Sequence, residues 1–173
     1  MQTSDNQNEV FEVVDVNDQV VGQATRREVH KNKNLIHRSV AVAIFNNNNK
    51  LFLQRRSQSK DTDALLWTIS CTGHVQKSES YEATARRELK EELGIENVSL
   101  NFLAKYLYRG INETEMTMLY KVNYDGEIIL QKEEIWEGKF FSIDQLAIAV
   151  ETKEIELNLF ARVALQKLDW IDI

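Results

Sequence analysis

The stretch GHVQKSESYEATARRELKEELGI, residues 73–95, constrains this chain more than any other part of its sequence. Apolar residues recur at every fourth position from Ala85 to Leu93, which predicts a helix with one buried stripe. Ser80 is suited to begin this helix as its N-cap, and Gly94 is suited to end it. The stretch therefore predicts one capped amphipathic helix.

Three glutamates of the predicted helix, Glu88, Glu91 and Glu92, fall within one arc, because a helix turns about 100° per residue. Like charges so placed repel each other by roughly a few tenths of a kcal/mol per pair unless a cation lies there. Hard divalent cations such as Mg²⁺ take oxygen ligands, and proteins usually bind them with a few carboxylates and substrate phosphates. The helix therefore presents a metal-binding face or, as the alternative, a solvated face held by salt bridges.

Two neighbouring features suit a ligand site at the start of this helix. Gly73 lets the backbone turn sharply or approach a ligand closely. Glu79 can pair with Arg87 and so brace the loop that leads into the helix. We therefore expect the loop and the glutamate face of the helix to line the same ligand site.

The full spacing of this segment resembles the Nudix box. The matching positions are Gly73, Glu79, Arg87, Glu88, Leu89, Glu91, Glu92, Gly94 and Ile95. The resemblance implies a Nudix fold of the α/β (α+β) class, an α/β/α sandwich around a mixed β-sheet. It implies a single domain over residues 10–173 after a polar N-terminal tail at residues 1–9, and structural roles for Gly73, Glu79 and Gly94.

The same resemblance implies a chemistry. Members of the Nudix family typically hydrolyse a nucleoside diphosphate linked to another group. The implied ligands of Mg²⁺ or Mn²⁺ are Glu88, Glu91 and Glu92, and the metal would stabilise the charge that develops as water attacks phosphorus. The implied base toward that water is Glu88, Glu91 or, outside the helix, Glu115, and Arg87 is a candidate contact for the substrate.

The three histidines of the chain form a second possible site. Each of His30, His37 and His74 taken alone is typical of an ordinary surface or core residue. Glu113 and Glu115 fall on the same side of a predicted strand. Together, the three imidazoles and two carboxylates would suit a transition metal or Mg²⁺.

This set resembles the metal site of type 1 isopentenyl diphosphate isomerase, a Nudix-fold enzyme. That family has two histidines at this spacing, a histidine after a glycine and a Glu-x-Glu on a later strand. The segment RRSQSK resembles the family's diphosphate-binding segment, which implies that Arg56 and Lys60 contact phosphate. Arg26, four residues before His30, matches a further cationic position.

Two departures separate this chain from the isomerase. The isomerase has a cysteine immediately before its Gly-His pair, where this chain has Thr72, and Cys71 lies one residue earlier. In a strand, a shift of one residue turns a side chain to the opposite face. A threonine hydroxyl is also a far poorer acid or base near neutral pH than a thiol. Moreover, the isomerase lacks the Arg-Glu and Glu-Glu pairs of the Nudix box. This chain has both pairs, Arg87-Glu88 and Glu91-Glu92, on the predicted helix that we call the carboxylate helix.

The remaining sequence predicts strands with interspersed helices in a single layered domain. Predicted strands lie at residues 11–16, 19–23, 38–45, 50–56, 66–73, 98–108, 115–124 and 136–142. Predicted helices lie at residues 25–29, 143–151 and 157–168, and Ser142 with Gln145 forms a capping box for the second of them.

Composition excludes several classes of function. The formal net charge is −6 and basic runs are short, which argues against a nucleic acid polymer as partner and favours a small anionic ligand. Apolar runs are shorter than the roughly 18–20 residues of a membrane span. The polar N-terminus does not resemble a signal peptide, and the single cysteine fits a reducing cytoplasm. A homodimer is possible.

Three functions follow as hypotheses. The first is a divalent-metal-dependent hydrolase that cleaves a diphosphate linkage in a nucleotide-like or other small organic diphosphate. The alternative is an isomerase that moves a double bond in an allylic diphosphate. A further alternative is a non-catalytic module that binds a metal-nucleotide complex.

Overall fold

The computed structural model describes residues 5–171 of the chain. Within this range the strands are β1 (Val10–Val14), β2 (Val20–Thr25), β3 (Ile36–Phe45), β4 (Leu51–Arg56), β5 (Trp67–Ile69), β6 (Cys71–His74), β7 (Asn101–Arg109), β8 (Thr114–Asn123) and β9 (Ile135–Phe141). The helices are α1 (Arg26–Val29), α2 (Tyr81–Leu93), α3 (Ile143–Glu151) and α4 (Leu159–Lys167). None of these helices in residues 5–171 is both long and apolar enough to cross a membrane.

The sheet is mixed, as predicted, and β3 lies at its centre. β3 pairs in parallel with β8 from Ile36 opposite Thr114 to Phe45 opposite Asn123. It pairs antiparallel with β6, and its first residues pair with β1. β4 pairs antiparallel with both β5 and β9. The predicted pairing of β7 with β8 is also antiparallel.

Helices cover both faces of the sheet because side chains alternate along β3. Val40, Val42 and Ile44 pack against the predicted buried stripe of α2. Ala41, Ala43 and Phe45 point the other way and pack against α3 and α4. The predicted sandwich of helix, sheet and helix is therefore confirmed.

Helix ends follow the predicted capping chemistry. Ser80 accepts a hydrogen bond from the Ala83 N–H, and Gly94 ends α2 with a φ of +67°. The capping box of Ser142 and Gln145 is present at α3. Asn158 caps α4 by accepting from the Ala161 N–H at 2.8 Å, a cap that the sequence analysis did not predict.

The predicted strand at residues 66–73 is divided into β5 and β6 at Ser70. The buried Ser70 hydroxyl donates to the Phe52 carbonyl at 2.5 Å and accepts from the Ile44 N–H at 2.9 Å. These bonds replace ladder bonds at the point where the chain leaves β4 and joins β3. The break brings the Gly-His pair to the edge of the functional site.

The carboxylate of Asp18, in the turn between β1 and β2, ties four elements together. It accepts hydrogen bonds from Arg38 at 2.6 Å, from Tyr81 at 3.1 Å and from Lys105. Asp18 has a φ of +64°, a conformation that asparagine also tolerates. Asp18→Asn therefore tests the charge with little backbone strain.

We expect Asp18→Asn to lower the free energy of unfolding by about 2 kcal/mol, because charge-assisted hydrogen bonds are lost in a half-buried setting. Urea denaturation measures this change. Glu154→Gln is the matched control, because the Lys139–Glu154 pair is exposed and 3.6 Å apart. Equal small effects in both variants would contradict a stabilising role for Asp18.

Candidate active site

The candidate site is a cavity of about 490 Å³ at the end of the sheet. Its wall contains most of the predicted site residues: Arg26, His30, Arg56, Lys60, Gly73, His74, Arg87, Glu88, Glu91, Glu92, Glu113 and Glu115. His37 lies buried beside this wall, Glu79 braces it from the loop before α2, and Gly94 lies at the far end of α2. The two predicted ligand sets thus share one cavity.

The alternation of β3, β6 and β8 places the histidines on the α4 side of the sheet. His37 is opposite Glu115 in the register, and His74 is opposite Ser39. His30 follows α1 and completes the group. The ring centroids of His37 and His74 are 4.9 Å apart, and those of His30 and His74 are 5.1 Å apart.

Four ligand atoms converge in this group. One atom each from His30, His37, His74 and Glu113 lies within 4.8 Å of the others. His30 Nε2 is 3.1 Å from Glu113 Oε2, but the two atoms are not aligned for a hydrogen bond. Among the residues that the structure describes, both ring nitrogens of His30 and His37 are buried without a hydrogen-bond partner. Such groups are costly to bury, and a bound cation would satisfy them.

The protonation states also suit a metal. Burial lowers the pKa of His30 to about 4 and that of His37 to about 3, and burial holds the pKa of His74 well below its usual range. The rings are therefore neutral near pH 7, which is the form that coordinates metals. Imidazole and carboxylate ligands together suit Mn²⁺ or a later transition metal. The residues present thus fit a divalent ion.

Glu115 lies outside this group of four. It is buried at the start of β8. Burial and the nearby Glu113 raise the pKa of its carboxyl group, and a hydrogen bond from Ser39 lowers this pKa by a smaller amount. Glu115 is not among the four residues whose ligand atoms lie within 4.8 Å of one another, and its role as a fifth ligand stays a prediction. Its position in the cavity wall leaves it available to a substrate or a water molecule.

The carboxylate helix faces the cavity from the other side of the sheet. Glu88 and Glu92 are largely buried, whereas 59% of the Glu91 side chain is exposed at the rim. Burial and the adjacent Glu92 raise the pKa of Glu88, and burial raises the pKa of Glu92. Glu88, Glu92 and the acids beside the histidines therefore concentrate negative charge that protons or metal cations must neutralise.

Arg87 joins this helix to the loop before it, as predicted. Its guanidinium donates to Glu79 at 3.0 and 3.1 Å, to Glu88 at 2.7 Å and to Glu91 at 3.1 Å. It also donates to the carbonyl of His74 at 3.3 Å. These contacts suit a positioning role for Arg87, which also lines the cavity, and its contact with substrate stays a prediction.

Gly73 creates the opening through which the helix reaches the cavity. It lies on the α2 side of β6, opposite Val40. A Cβ atom at residue 73 would lie 2.1 Å from Glu88 Oε1. The absence of a side chain here therefore makes room for the Glu88 carboxylate.

We expect Gly73→Ala to displace Glu88 and to weaken Mn²⁺ binding by at least about 10-fold, the usual scale for disturbed metal shells. Titration of Mn²⁺ against the metal-free variant measures this. Gly22→Ala is the matched control, because nothing lies within 4 Å of a Cβ at that position. Unchanged Mn²⁺ affinity in Gly73→Ala would contradict the assignment.

The predicted phosphate-binding cations are present, but two of them already contact acids. Lys60 Nζ is 2.6 Å from both Asp5 and Glu134. Arg26 contacts Asp61 at 3.2 Å, Asp5 at 3.4 Å and His74 Nδ1 at 2.9 Å.

Arg56 and the N-terminal residues complete this side of the cavity. Arg56 donates to the carbonyl of Thr62 at 3.1 Å and to its hydroxyl at 3.4 Å. Residues 1–4 of the predicted tail lie outside the described residues. Asp5 belongs to the cavity wall, which the polar composition of the tail did not indicate.

Thr72 and Cys71 lie as their alternation in a strand predicts. Thr72 contributes to the cavity wall. Cys71 is fully buried on the opposite face with the α2 core, where burial and Glu92 raise the pKa of its thiol. The position beside the Gly-His pair therefore presents a hydroxyl to the cavity.

Several cavity residues gave no sequence signal. Asp5 and Glu134 line the cavity, whereas Asp61 and Gln54 contact its wall residues Arg26 and Glu92. All four are acids or amides in ordinary polar segments, and only packing brings them together. Phe160 from α4 and Tyr108 from β7 meet edge to face, with ring centroids 4.9 Å apart, and both line the cavity. Periodicity indicated only that such aromatic residues are buried.

Comparisons with known proteins agree with this architecture. A family model described as NUDIX domain matches residues 35–163. The chain is 28% identical over 170 residues, 95% of both chains, to isopentenyl-diphosphate Delta-isomerase 2 of Photorhabdus laumondii. It is 35% identical over 133 residues, 75% of this chain and 73% of the other, to uncharacterized Nudix hydrolase SCO1686 of Streptomyces coelicolor.

A solved structure extends the similarity to the fold. The crystal structure of DR0079 from Deinococcus radiodurans matches with a TM-score of 0.78 and 26% identity, over 91% of this chain and 98% of that one. The sequence relatives thus carry names from two reaction classes on one architecture.

Proposed function

This chain belongs to the Nudix family, and from that membership we propose that it is a divalent-metal-dependent hydrolase of a small organic or nucleotide-like diphosphate. The observation that carries the proposal is the intact carboxylate helix, with Glu88 and Glu92 buried against a cavity that also contains Arg56 and Lys60. The single buried thiol of Cys71 accords with a cytoplasmic location.

The residues divide the work of hydrolysis. Glu88 and Glu92, with Glu91 at the rim, would hold Mg²⁺ or Mn²⁺, which when bound neutralises phosphate charge and activates water. Arg56 and Lys60 would orient the diphosphate, and Arg87 would keep Glu88 in place. Arg56 and Lys60 line the same cavity as the acids, which suits the binding of a metal–diphosphate complex.

Glu115 is the favoured base. As water forms its bond to phosphorus and the bond to the bridging oxygen breaks, one proton must leave the water. Burial and Glu113 raise the pKa of Glu115, and a divalent cation bound nearby would ionise this carboxyl group, which could then accept that proton. Glu91 is a weaker candidate, because its exposed carboxylate is paired with Arg87.

A second candidate function rests on the histidine group. Its four converging ligand atoms and the names of several relatives favour an isomerase acting on an allylic diphosphate. Thr72 argues against it, because the hydroxyl beside the Gly-His pair is a poor acid and base for a carbon-bound proton. The buried Cys71 cannot substitute, since it faces away from the cavity.

One pair of assays separates these functions. The protein is incubated with Mg²⁺ or Mn²⁺ and a panel of diphosphates, and the release of phosphate or monophosphate is measured. Isopentenyl diphosphate is incubated in heavy water in parallel, and deuterium on carbon is measured. We expect metal-dependent product release that a chelator abolishes. Deuterium exchange without product release would overturn the hydrolase, and binding without either reaction would indicate a binding module.

Asp5 provides a further prediction about substrate affinity. Its carboxylate lies where it contacts Lys60 and Arg26, so a diphosphate must compete with it for these cations. We expect Asp5→Asn to lower KM by about 3- to 10-fold with little change in kcat, the size of effect expected for one half-buried ion pair. Glu96→Gln, in an exposed pair with Lys90, is the control. A higher KM in Asp5→Asn would show instead that Asp5 orients the cations.

A further inference from the structure

The Glu92 carboxylate lies against two neutral donor groups of the sheet, and one of them is hydrogen-bonded to it. Gln54 lies on β4, is only 3% exposed and donates from Nε2 to Glu92 Oε2 at 3.0 Å. Its backbone is fixed on both sides, opposite Thr68 of β5 and Gly138 of β9. On β6, the buried thiol of Cys71 lies beside the same carboxylate, close enough to affect the pKa of both groups.

The backbone around Glu92 is fixed as well. The Gln131 N–H donates to the Glu92 carbonyl at 2.9 Å, and the Ile129 N–H donates to the Leu93 carbonyl at 3.0 Å. The last turn of α2 is therefore fixed by the segment before β9, and the Glu92 side chain by β4 and β6. Glu92 is more fully positioned than Glu91, whose carboxylate lies at the exposed rim.

The chemistry of the two donors matters more than their number. An arginine or lysine beside a buried carboxylate neutralises it, as Arg87 does for Glu79. An amide N–H and a thiol S–H orient a carboxylate but leave its charge uncompensated. A neutral donor pair therefore suits a carboxylate whose charge is meant for a cation in the cavity.

We propose that Gln54 and Cys71 are positioning residues that hold the Glu92 carboxylate in the orientation in which it binds the catalytic divalent cation. This inference rests on the proposed role of Glu92 as a metal ligand. Amide hydrogen bonding by Gln54 occupies one carboxylate oxygen and leaves lone pairs of the other free for the ion. Outer partners of metal ligands commonly contribute about 10- to 100-fold to metal affinity.

The test measures Mn²⁺ binding to the full metal-free chain without substrate, by electron paramagnetic resonance of free Mn²⁺. The Mn²⁺ binding that is lost in Glu92→Gln defines the Glu92-dependent site. This reference separates Mn²⁺ bound at Glu92 from Mn²⁺ bound at the histidines. We expect Gln54→Met, which keeps the side-chain length but removes the donor, to weaken binding at the Glu92-dependent site by about 10-fold or more. We expect Cys71→Ala to weaken it and Cys71→Ser, which retains a donor, to restore it.

Ser70→Ala is the matched control for a lost buried hydrogen bond, because Ser70 is fully buried but bonds only backbone groups of β3 and β4 among the described contacts. Thermal unfolding is measured for every variant. Unchanged Mn²⁺ affinity in Gln54→Met, or an equal loss in Ser70→Ala, would overturn the proposal. If Gln54→Met does not fold, the comparison of Cys71→Ala with Cys71→Ser decides the question.

The outcomes also separate this inference from the proposed function. If no diphosphate is hydrolysed but Gln54→Met weakens the Glu92-dependent Mn²⁺ binding, the positioning role stands and the hydrolase fails. If Glu92→Gln leaves all Mn²⁺ binding intact, the positioning role fails, whether or not hydrolysis occurs.

Discussion

Glu88→Gln is expected to reduce kcat for diphosphate hydrolysis by about 10³-fold, the scale seen when a group that stabilises transition-state charge is removed. Glu88 is the carboxylate that Arg87 holds at 2.7 Å and that the missing side chain of residue 73 admits to the cavity. Glutamine keeps the shape but supplies a neutral oxygen, so the cation and the charge on phosphorus are both less stabilised. Steady-state kinetics at saturating Mg²⁺ measure the change.

The fold should survive this substitution. Burial raises the pKa of Glu88, which means that the ionised carboxylate destabilises the metal-free protein. A neutral amide at this position removes that cost. We therefore expect unfolding of metal-free Glu88→Gln at a temperature equal to or above that of the parent protein. Glu82→Gln on the same helix is the control, because Glu82 is exposed and pairs with Arg86. Full activity in Glu88→Gln would remove the carboxylate helix from the chemistry.

The stability of the metal-free protein should fall as the pH rises from about 6.5 to about 8, by at least about 2 kcal/mol. Burial raises the pKa of Glu92 and Glu113 to about 7 and that of Glu88 and Glu115 to about 8. In this window the folded state binds more protons than the unfolded state, so a higher pH favours unfolding. Urea denaturation in a chelating buffer measures the slope.

The histidines act in the opposite direction and in a lower window. Burial lowers the pKa of His30 and His37, so the histidine contribution to stability falls as the pH drops below about 6.5, while the carboxyl contribution continues to rise until the pH reaches about 4.5. The loss of stability above about pH 6.5 therefore belongs to the carboxyl groups. Saturating Mn²⁺ should reduce the loss of stability above about pH 6.5, because the bound ion favours the ionised carboxylates. A metal-free protein of constant stability across this window would contradict the assigned burial of these acids.

Much of the fold could be predicted because local chemistry determines it. The stripe from Ala85 to Leu93 and its caps at Ser80 and Gly94 require only neighbouring residues, and α2 begins and ends where they predict. The carboxylate helix is also local in sequence, so its pairing of Glu79 with Arg87 followed from spacing. The histidine group was accessible only through its resemblance to a known family.

The parts that could not be predicted depend on contacts between distant segments. Ser70 divides a strand because its hydroxyl finds partners on β3 and β4, and the sequence does not show that these strands lie beside residue 70. Asp5 meets Lys60 across 55 positions, and Gln54 meets Glu92 across 38. Glu113 lies just before β8 and Glu115 lies within it, so their positions relative to the histidines depend on the register of β8 against β3.

The opening at Gly73 has an evolutionary consequence. The carboxylates of α2 and the imidazoles of the sheet meet beside Gly73 and pack on separate cores, so either set could change without changes in the core that supports the other. A change of reaction could therefore require only a few substitutions around Gly73, while the fold stays the same. Residue 72, whose side chain lines the cavity, is one of the positions at which such a substitution would change the chemistry.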